Sequence, residues 1–284
     1  MSGQRRRPQT SILSSACDTN RRPLHPWNLS IEETRETPSS QLIFGRWADR
    51  AVVLKTFKPH SDETNSADVI RSFDGKGMVR VIDQCEGALL LERLVPGTSL
   101  VDLALAGDDQ SATGILAQVI ETMDSPPPPS RCPSVEDWGR AFDRYLQGSN
   151  ESIAKALVEE AQRTYLSLCE SQTRRRLLHG DLHHANVLFD ATRGWLAIDP
   201  KGVVGEVEYE IGAALRNPID HPELYASTKI VKRRLDRFEE TLKLDRHRAL
   251  RWAFAQGVLS AIWSTEDGED SRHVLKLAEV LRRF

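Results

Sequence analysis

The chain has 284 residues, 39% of them hydrophobic and 28% charged, with a formal net charge of −3. That length buries a substantial core in one large or two modest domains, and so small a net charge supplies no overall field for nucleic acid or an anionic membrane. No apolar run approaches the roughly 20 residues a spanning helix needs, so a cytoplasmic chain without membrane or nucleic-acid partners is expected. Residues 1–26 carry Arg5-Arg6-Arg7 but not the roughly 7 to 15 apolar residues of a signal peptide, and read as a mobile basic tail. Cys17, Cys85, Cys132 and Cys169 lie far apart and form no C-x-x-C pair, which predicts reduced thiols and no zinc site.

Two apolar runs, 41–47 and 50–57, flank Ala48-Asp49 and predict a hairpin. A helix is expected over 61–73. After the Gly75-Lys76-Gly77 turn, 78–82 and 88–94 predict a second strand pair, which Val95-Pro96-Gly97 breaks. Helical patterns follow at 109–123 and 135–146, separated by the four prolines 126–129, an extended intralobe spacer. Residues 151–171 form a long amphipathic pattern, and Phe142, Tyr145, Trp252 and Phe254 recur at helical spacings as core positions.

The segment 177–202, LLHGDLHHANVLFDATRGWLAIDPKG, carries the chemistry. Asp181 and Asn186 have the five-residue separation of the H-R-D-x-x-x-x-N loop, and Asp199 follows an apolar strand at 195–198. Phosphoryl transfer needs few reactive groups but places each one accurately. In that arrangement Asp181 receives the acceptor hydroxyl's hydrogen bond, while Asn186 and Asp199 hold metal. Lys55, closing Val52-Val53-Leu54-Lys55, has the position of the strand lysine that reaches the α and β phosphates, with Lys58 as the competing candidate. Its helix partner is assigned to Glu63, with Asp68 on the surface; the other readings make Glu63 a helix-start acid only, or reverse the pair. His179 and His183 straddle Gly180-Asp181 in a loop, so they brace its backbone rather than bind zinc. Lys201 either touches phosphate or pairs with a carboxylate.

His179-Gly180-Asp181 and Asp199-Pro200-Lys201-Gly202 depart from the protein-kinase motifs, and no Ala-Pro-Glu segment follows. In this the chain resembles the aminoglycoside phosphotransferases and related small-molecule kinases. The run IDPKGVVGEVEYEIGAALRNP, with GVLSAIWSTEDG near the C-terminus, is similar to the aminoglycoside/hydroxyurea antibiotic-resistance kinase family. The likeness extends from about Trp27 to near the C-terminus. It implies an α+β, bilobal, protein-kinase-like fold: a small antiparallel-sheet lobe over 27–95 that binds ATP, and a larger, mostly helical lobe over 96–284 that holds the acceptor.

It also implies ATP and Mg²⁺ as cofactors and a small hydroxylated, cationic acceptor of the streptomycin type. Main-chain atoms of Glu92 to Leu94 would meet adenine at the hinge, although an ordinary buried strand fits the same residues. The Pro38-Ser39-Ser40 turn, with Ser39 and Ser40, would stand in for a glycine-rich phosphate loop or be only a turn. On the acceptor side lie Glu206, Glu208, Glu210, Glu266, Asp267, Glu269 and Asp270. Glu206, Trp263, Glu266 and Asp267 are the expected substrate contacts, a solvated helix face is the competing reading, and Glu210 has the alternative of anchoring the catalytic loop. Two rivals stand beside this: a kinase of an endogenous sugar, amino alcohol or hydroxyurea-like metabolite, and a catalytically silent nucleotide-binding module. The intact Lys55, Asp181, Asn186 and Asp199 set argues against the second. The hydroxyl modified, ATP against GTP, and monomer against homodimer stay open.

Overall fold

The computed structural model describes residues 26–58, 66–123 and 126–284, so Cys17, Glu63 and nearly all of the basic tail lie outside the described residues. Five strands, β1 (Ser30–Glu36), β2 (Ser40–Trp47), β3 (Arg50–Phe57), β4 (Val81–Cys85) and β5 (Ala88–Glu92), form an antiparallel sheet in the order β1-β2-β3-β5-β4. Strand alternation on central β3 sends Val52 and Leu54 into a small core with Trp27, Ala88 and Leu90. Lys55 therefore leaves by the opposite face. The Trp27 indole N–H donates to Asp83 Oδ2 at 2.8 Å. Helix α1 (Ser66–Ser72) buries Val69 and Ile70 in the larger core.

The strand expected over 78–82 is divided in the structure. Met78 bridges Ala197 and the Val79 amide donates to the Ala197 carbonyl at 2.9 Å, while pairing with β5 begins only at Val81. Gly77, at φ +64°, makes the bend that sends these residues to the larger lobe first.

Beyond the sheet, β6 (Pro96–Ser99), β8 (Val187–Asp190) and β9 (Gly194–Ala197) make an antiparallel three-stranded sheet, and β7 (Arg176–Leu178) pairs with β10 (Val203–Gly205). The β8–β9 turn grips the hinge. Asp190 Oδ2 accepts from the Val95 amide at 3.0 Å and the Ala191 amide donates to the Val95 carbonyl at 2.8 Å. Arg193 donates to Glu92 Oε1 and, at 2.5 Å, to the Gly75 carbonyl.

The remainder is helical: α2 (Leu100–Leu105), α3 (Asp109–Thr122), α4 (Val135–Gln147), α5 (Lys155–Glu170), α6 (Val207–Leu215), α7 (Thr228–Leu242), α8 (Arg246–Glu266) and α9 (Arg272–Leu281). The start of α4 is fixed by a reciprocal capping box between Ser134 and Asp137. Helix α8 is buried on all sides from Trp252 to Leu259 and touches α4, α5, α6 and α9. Trp252 packs edge-on against Tyr165 and Tyr209, with ring centroids 5.0 and 5.1 Å apart. Phe142, Tyr145, Trp252 and Phe254 are all buried, as their spacing predicts. Cys85, Cys132 and Cys169 are free thiols. Among the described residues no helix is long and apolar enough to cross a membrane.

The hinge clamp has a pH signature. The Thr192 hydroxyl, with the Val95 amide and others, holds the Asp190 carboxyl down from 3.8 to about 2. A lowered folded value means that this stabilisation is present above the unfolded value and is lost as pH falls through about 2. Urea midpoints measured against pH should therefore show the wild type ahead of Asp190→Asn above roughly pH 5, with the gap closing toward about pH 2. A gap independent of pH over that range would remove Asp190 from the clamp.

Candidate active site

The loop after β7 is built on a buried carboxylate. Glu210, in the first turn of α6, accepts from the His179 amide at 2.7 Å and the Gly180 amide at 3.0 Å. Burial pushes its carboxyl above the usual range, opposed by His179 and by these two amides. His179 is itself fully buried and works in two directions. Its Nδ1 accepts from the Asp181 amide at 3.3 Å, so its Nε2 carries the hydrogen donated to the Ile198 carbonyl at 2.8 Å. Its carbonyl accepts the amides of Lys201 and Gly202 at 3.0 and 2.9 Å. One residue thus joins the Asp181 loop to the Asp199 loop.

The five-residue interval closes on itself. Asn186 Nδ2 donates to the Asp181 carbonyl at 3.0 Å and its backbone amide to the His183 carbonyl at 2.9 Å, while His183 Nδ1 accepts the Ala185 amide at 3.3 Å. Both histidines brace the loop. Asp199 sits at φ +59°, a left-handed conformation that Asp tolerates better than most residues and that clusters at functional sites. Lys55 Nζ donates to Asp199 Oδ1 at 2.5 Å, across the two lobes. Gly202, at φ +76°, could not carry a side chain: a Cβ there would lie 2.4 Å from Val69 of α1.

Asp181 is partly open, its side chain 30% exposed. Burial raises its carboxyl, but His183 and Arg216, the largest opposing charges, bring it below the ordinary range. His183 is itself lowered, chiefly by burial.

A cavity of about 530 Å³ opens beside Asp181, lined also by Lys201, Arg216, Trp263, Glu266 and Asp267. Three of the expected substrate contacts therefore line the same cavity as Asp181. Glu206 does not. It is 4% exposed and its Oε1 accepts from the Arg248 guanidinium and the Trp252 indole N–H, so it stabilises the centre of the lobe rather than an acceptor. Glu208 accepts the Asp245 amide, and Asp270 pairs with Arg272. The wall is mixed in charge, because Arg144, Lys201 and Arg216 also line it and Arg144 Nη2 lies 3.8 Å from Glu266 Oε1. Trp138, edge-on to Trp263 at 5.6 Å, adds an apolar face.

On the nucleotide side, Asp68 is exposed and pairs with Arg71, in agreement with its surface assignment. Ser40 is buried, its hydroxyl 2.9 Å from that of Thr37, while the Ser39 carbonyl accepts the Lys58 amide at 2.9 Å. The Glu92 amide is spent on the Arg80 carbonyl and the Arg93 amide on Ala51, and Leu94 is buried beyond them. The donor set at Asn186 and Asp199 fits magnesium, a hard cation that takes a carboxylate and a carbonyl oxygen and completes its shell with phosphate and water. The Asn186 amide nitrogen is committed to Asp181, so its oxygen is the atom that would meet such a cation.

A family model for aminoglycoside/hydroxyurea antibiotic resistance kinases matches residues 9–268. The chain belongs to this family. It is 33% identical to a streptomycin 6-kinase of Streptomyces griseus, over 76% of this chain and 71% of that one. It is 32% identical to a streptomycin 3''-kinase of Klebsiella pneumoniae, over 85% and 91%. The fold is that of a thermostable mutant of aminoglycoside phosphotransferase APH(4)-Ia, solved as a ternary complex with AMP-PNP and hygromycin B, at a TM-score of 0.66 and 17% identity over 90% of this chain and 94% of that one. The bilobal kinase-like fold and the small-molecule phosphotransferase activity expected from the sequence are therefore both met.

The geometry separates two kinds of carboxylate. Asp181→Asn should keep the fold and lower kcat by about 10² to 10⁴, the range of a general-base contribution. Glu266→Gln should act on the acceptor's KM, whereas Glu206→Gln should lower the melting temperature with little change in that KM. Steady-state kinetics and thermal melts on the three variants check this; a Glu206→Gln enzyme of normal stability but raised acceptor KM would return Glu206 to the wall.

Proposed function

We propose that the chain transfers the γ-phosphoryl group of ATP, with Mg²⁺, to a hydroxyl of an aminoglycoside of the streptomycin type. The observation that carries this reading is that His179 joins the Asp181 loop to the Asp199 loop and Asn186 closes on Asp181, beside a cavity lined by Trp263, Glu266 and Asp267. In it, Asp181 orients the acceptor hydroxyl and receives its proton, an edge-on aromatic pair offers flat apolar contact, and Glu266 and Asp267 meet cationic groups. Lys55 exchanges Asp199 for the α and β phosphates, with Glu63 as its second partner. Leu94 supplies backbone atoms to adenine and Ser39 its turn amide to phosphate, while the Ser40 amide, which donates to Thr37 Oγ1 at 2.9 Å, holds the turn in shape. Bound magnesium neutralises charge on the phosphates; Asn186 and Asp199 are the residues that hold it. The ATP-binding part corresponds to 27–95 and the acceptor part to 96–284, and a supply of ATP places the reaction in the cytoplasm.

Relatives named for positions 6 and 3'' match almost equally well, so the proposal names the acceptor class and leaves the hydroxyl to product analysis. A second reading, a kinase of a neutral or singly charged metabolite, draws on the balanced charge of the cavity wall. Coupled ADP release from the purified protein decides between them, run with streptomycin, other aminoglycosides, hydroxyurea, sugars and amino alcohols, with mass spectrometry of the product. Streptomycin-dependent ADP release with a phosphorylated product is the expected result; turnover of a sugar or amino alcohol alone would establish the metabolite reading.

A further inference from the structure

Of the three cations lining the acceptor cavity, Arg216 alone is buried, at 7% exposed. Burying a guanidinium costs free energy unless its surroundings return it in charge and hydrogen bonds. Two groups do so. Arg216 Nη1 donates to Gln256 Oε1 at 2.6 Å, and Nη2 stands 3.6 Å from Asp181 Oδ1. The second distance is an ion pair but longer than a hydrogen bond, so Oδ1 keeps its lone pairs for another donor.

Gln256 belongs to α8 and reaches Arg216 because α6 offers no side chain in its path. Its Oε1 lies 2.0 Å from where a Cβ on Gly212 would be, and its Nε2 donates to the Tyr209 carbonyl at 3.3 Å. The notch at Gly212 thus sets Gln256, Gln256 sets the guanidinium, and the guanidinium faces the catalytic carboxylate.

We propose that Arg216 is a positioning residue for phosphoryl transfer, held by Gln256 in the Gly212 notch so that its fixed positive charge orients the Asp181 carboxylate toward the acceptor hydroxyl. The inference rests on the reading of Asp181 as the acceptor-side base. In the step it serves, a bond forms from the acceptor oxygen to the γ-phosphorus as the bond from that phosphorus to the β,γ-bridging oxygen breaks. The hydroxyl proton passes to Asp181, the electron pair leaves on ADP, and Arg216 keeps its proton throughout.

The test is steady-state kinetics of the full chain with Mg-ATP and streptomycin, or the acceptor found by the screen. Arg216→Ala should lower kcat by roughly 10², the loss typical of removing one preorganised electrostatic group, with the KM for Mg-ATP little changed. Low-millimolar guanidinium chloride should restore part of kcat saturably, and equal sodium chloride should not; a residue that only fills space would gain nothing from a free guanidinium ion. If Arg216→Ala does not fold, Gln256→Met replaces it, with a several-fold loss of kcat at unchanged KM values expected. A kcat within about twofold of wild type, or a loss that guanidinium leaves untouched, overturns the inference while the function stands. A wild type that turns over no acceptor overturns the proposed function, and this inference with it.

Discussion

The Glu210 carboxylate and the amides of His179 and Gly180 are buried together and satisfy one another. Neither side is tolerable alone. A buried amide without an acceptor, or a buried carboxylate without donors, costs the desolvation of that group. Their pairing fixes the start of the Asp181 loop to α6, and His179 carries the constraint onward through its ring and carbonyl to Ile198, Lys201 and Gly202. Asp181 and Asp199 are consequently held relative to each other through two buried residues, Glu210 and His179. Positioning is most of what a phosphoryl-transfer enzyme provides.

The same loop meets the smaller lobe at two places. Lys55 crosses to Asp199, and Gly202 admits Val69 of α1 at a distance only hydrogen allows. Farther along, the β8–β9 turn holds the hinge through Asp190 and Arg193, while Val79 and Gly77 bond to Ala197 at the end of β9. The short hairpin β8–β9 thus lies between the Asp181 loop and the Asp199 loop in sequence and between the two lobes in space.

Features set by near neighbours were legible in the sequence. Alternation over 50–57 places Lys55 on the face opposite Val52 and Leu54, and the Asp181-to-Asn186 interval is a single closed turn, stabilised by bonds among its own residues. Features set by packing between distant helices were not. Glu206 looks the same as Glu266 in a sequence, yet its side chain points into the lobe because Arg248 and Trp252 of α8 wait there as donors. The division of residues 78–82 depends on β9, more than a hundred positions away, drawing Met78 and Val79 from the sheet. The sequence does not single out Arg216, Trp138 and Gln256 for the same reason: only the crossing of α4, α6 and α8 brings them to Asp181, and a glycine at 212 is a local sign of that crossing.

Glu210, buried and outside the lining of the cavity, sets the geometry of the Asp181 loop. The most direct test of that role is the turnover of Glu210→Gln, which keeps the shape but replaces one accepting oxygen with a donor. With the fold retained by circular dichroism, kcat should fall by roughly 10², the cost of misplacing reacting groups by about an ångström. A folded Glu210→Gln enzyme with wild-type kcat would show that Glu210 does not set the position of Asp181.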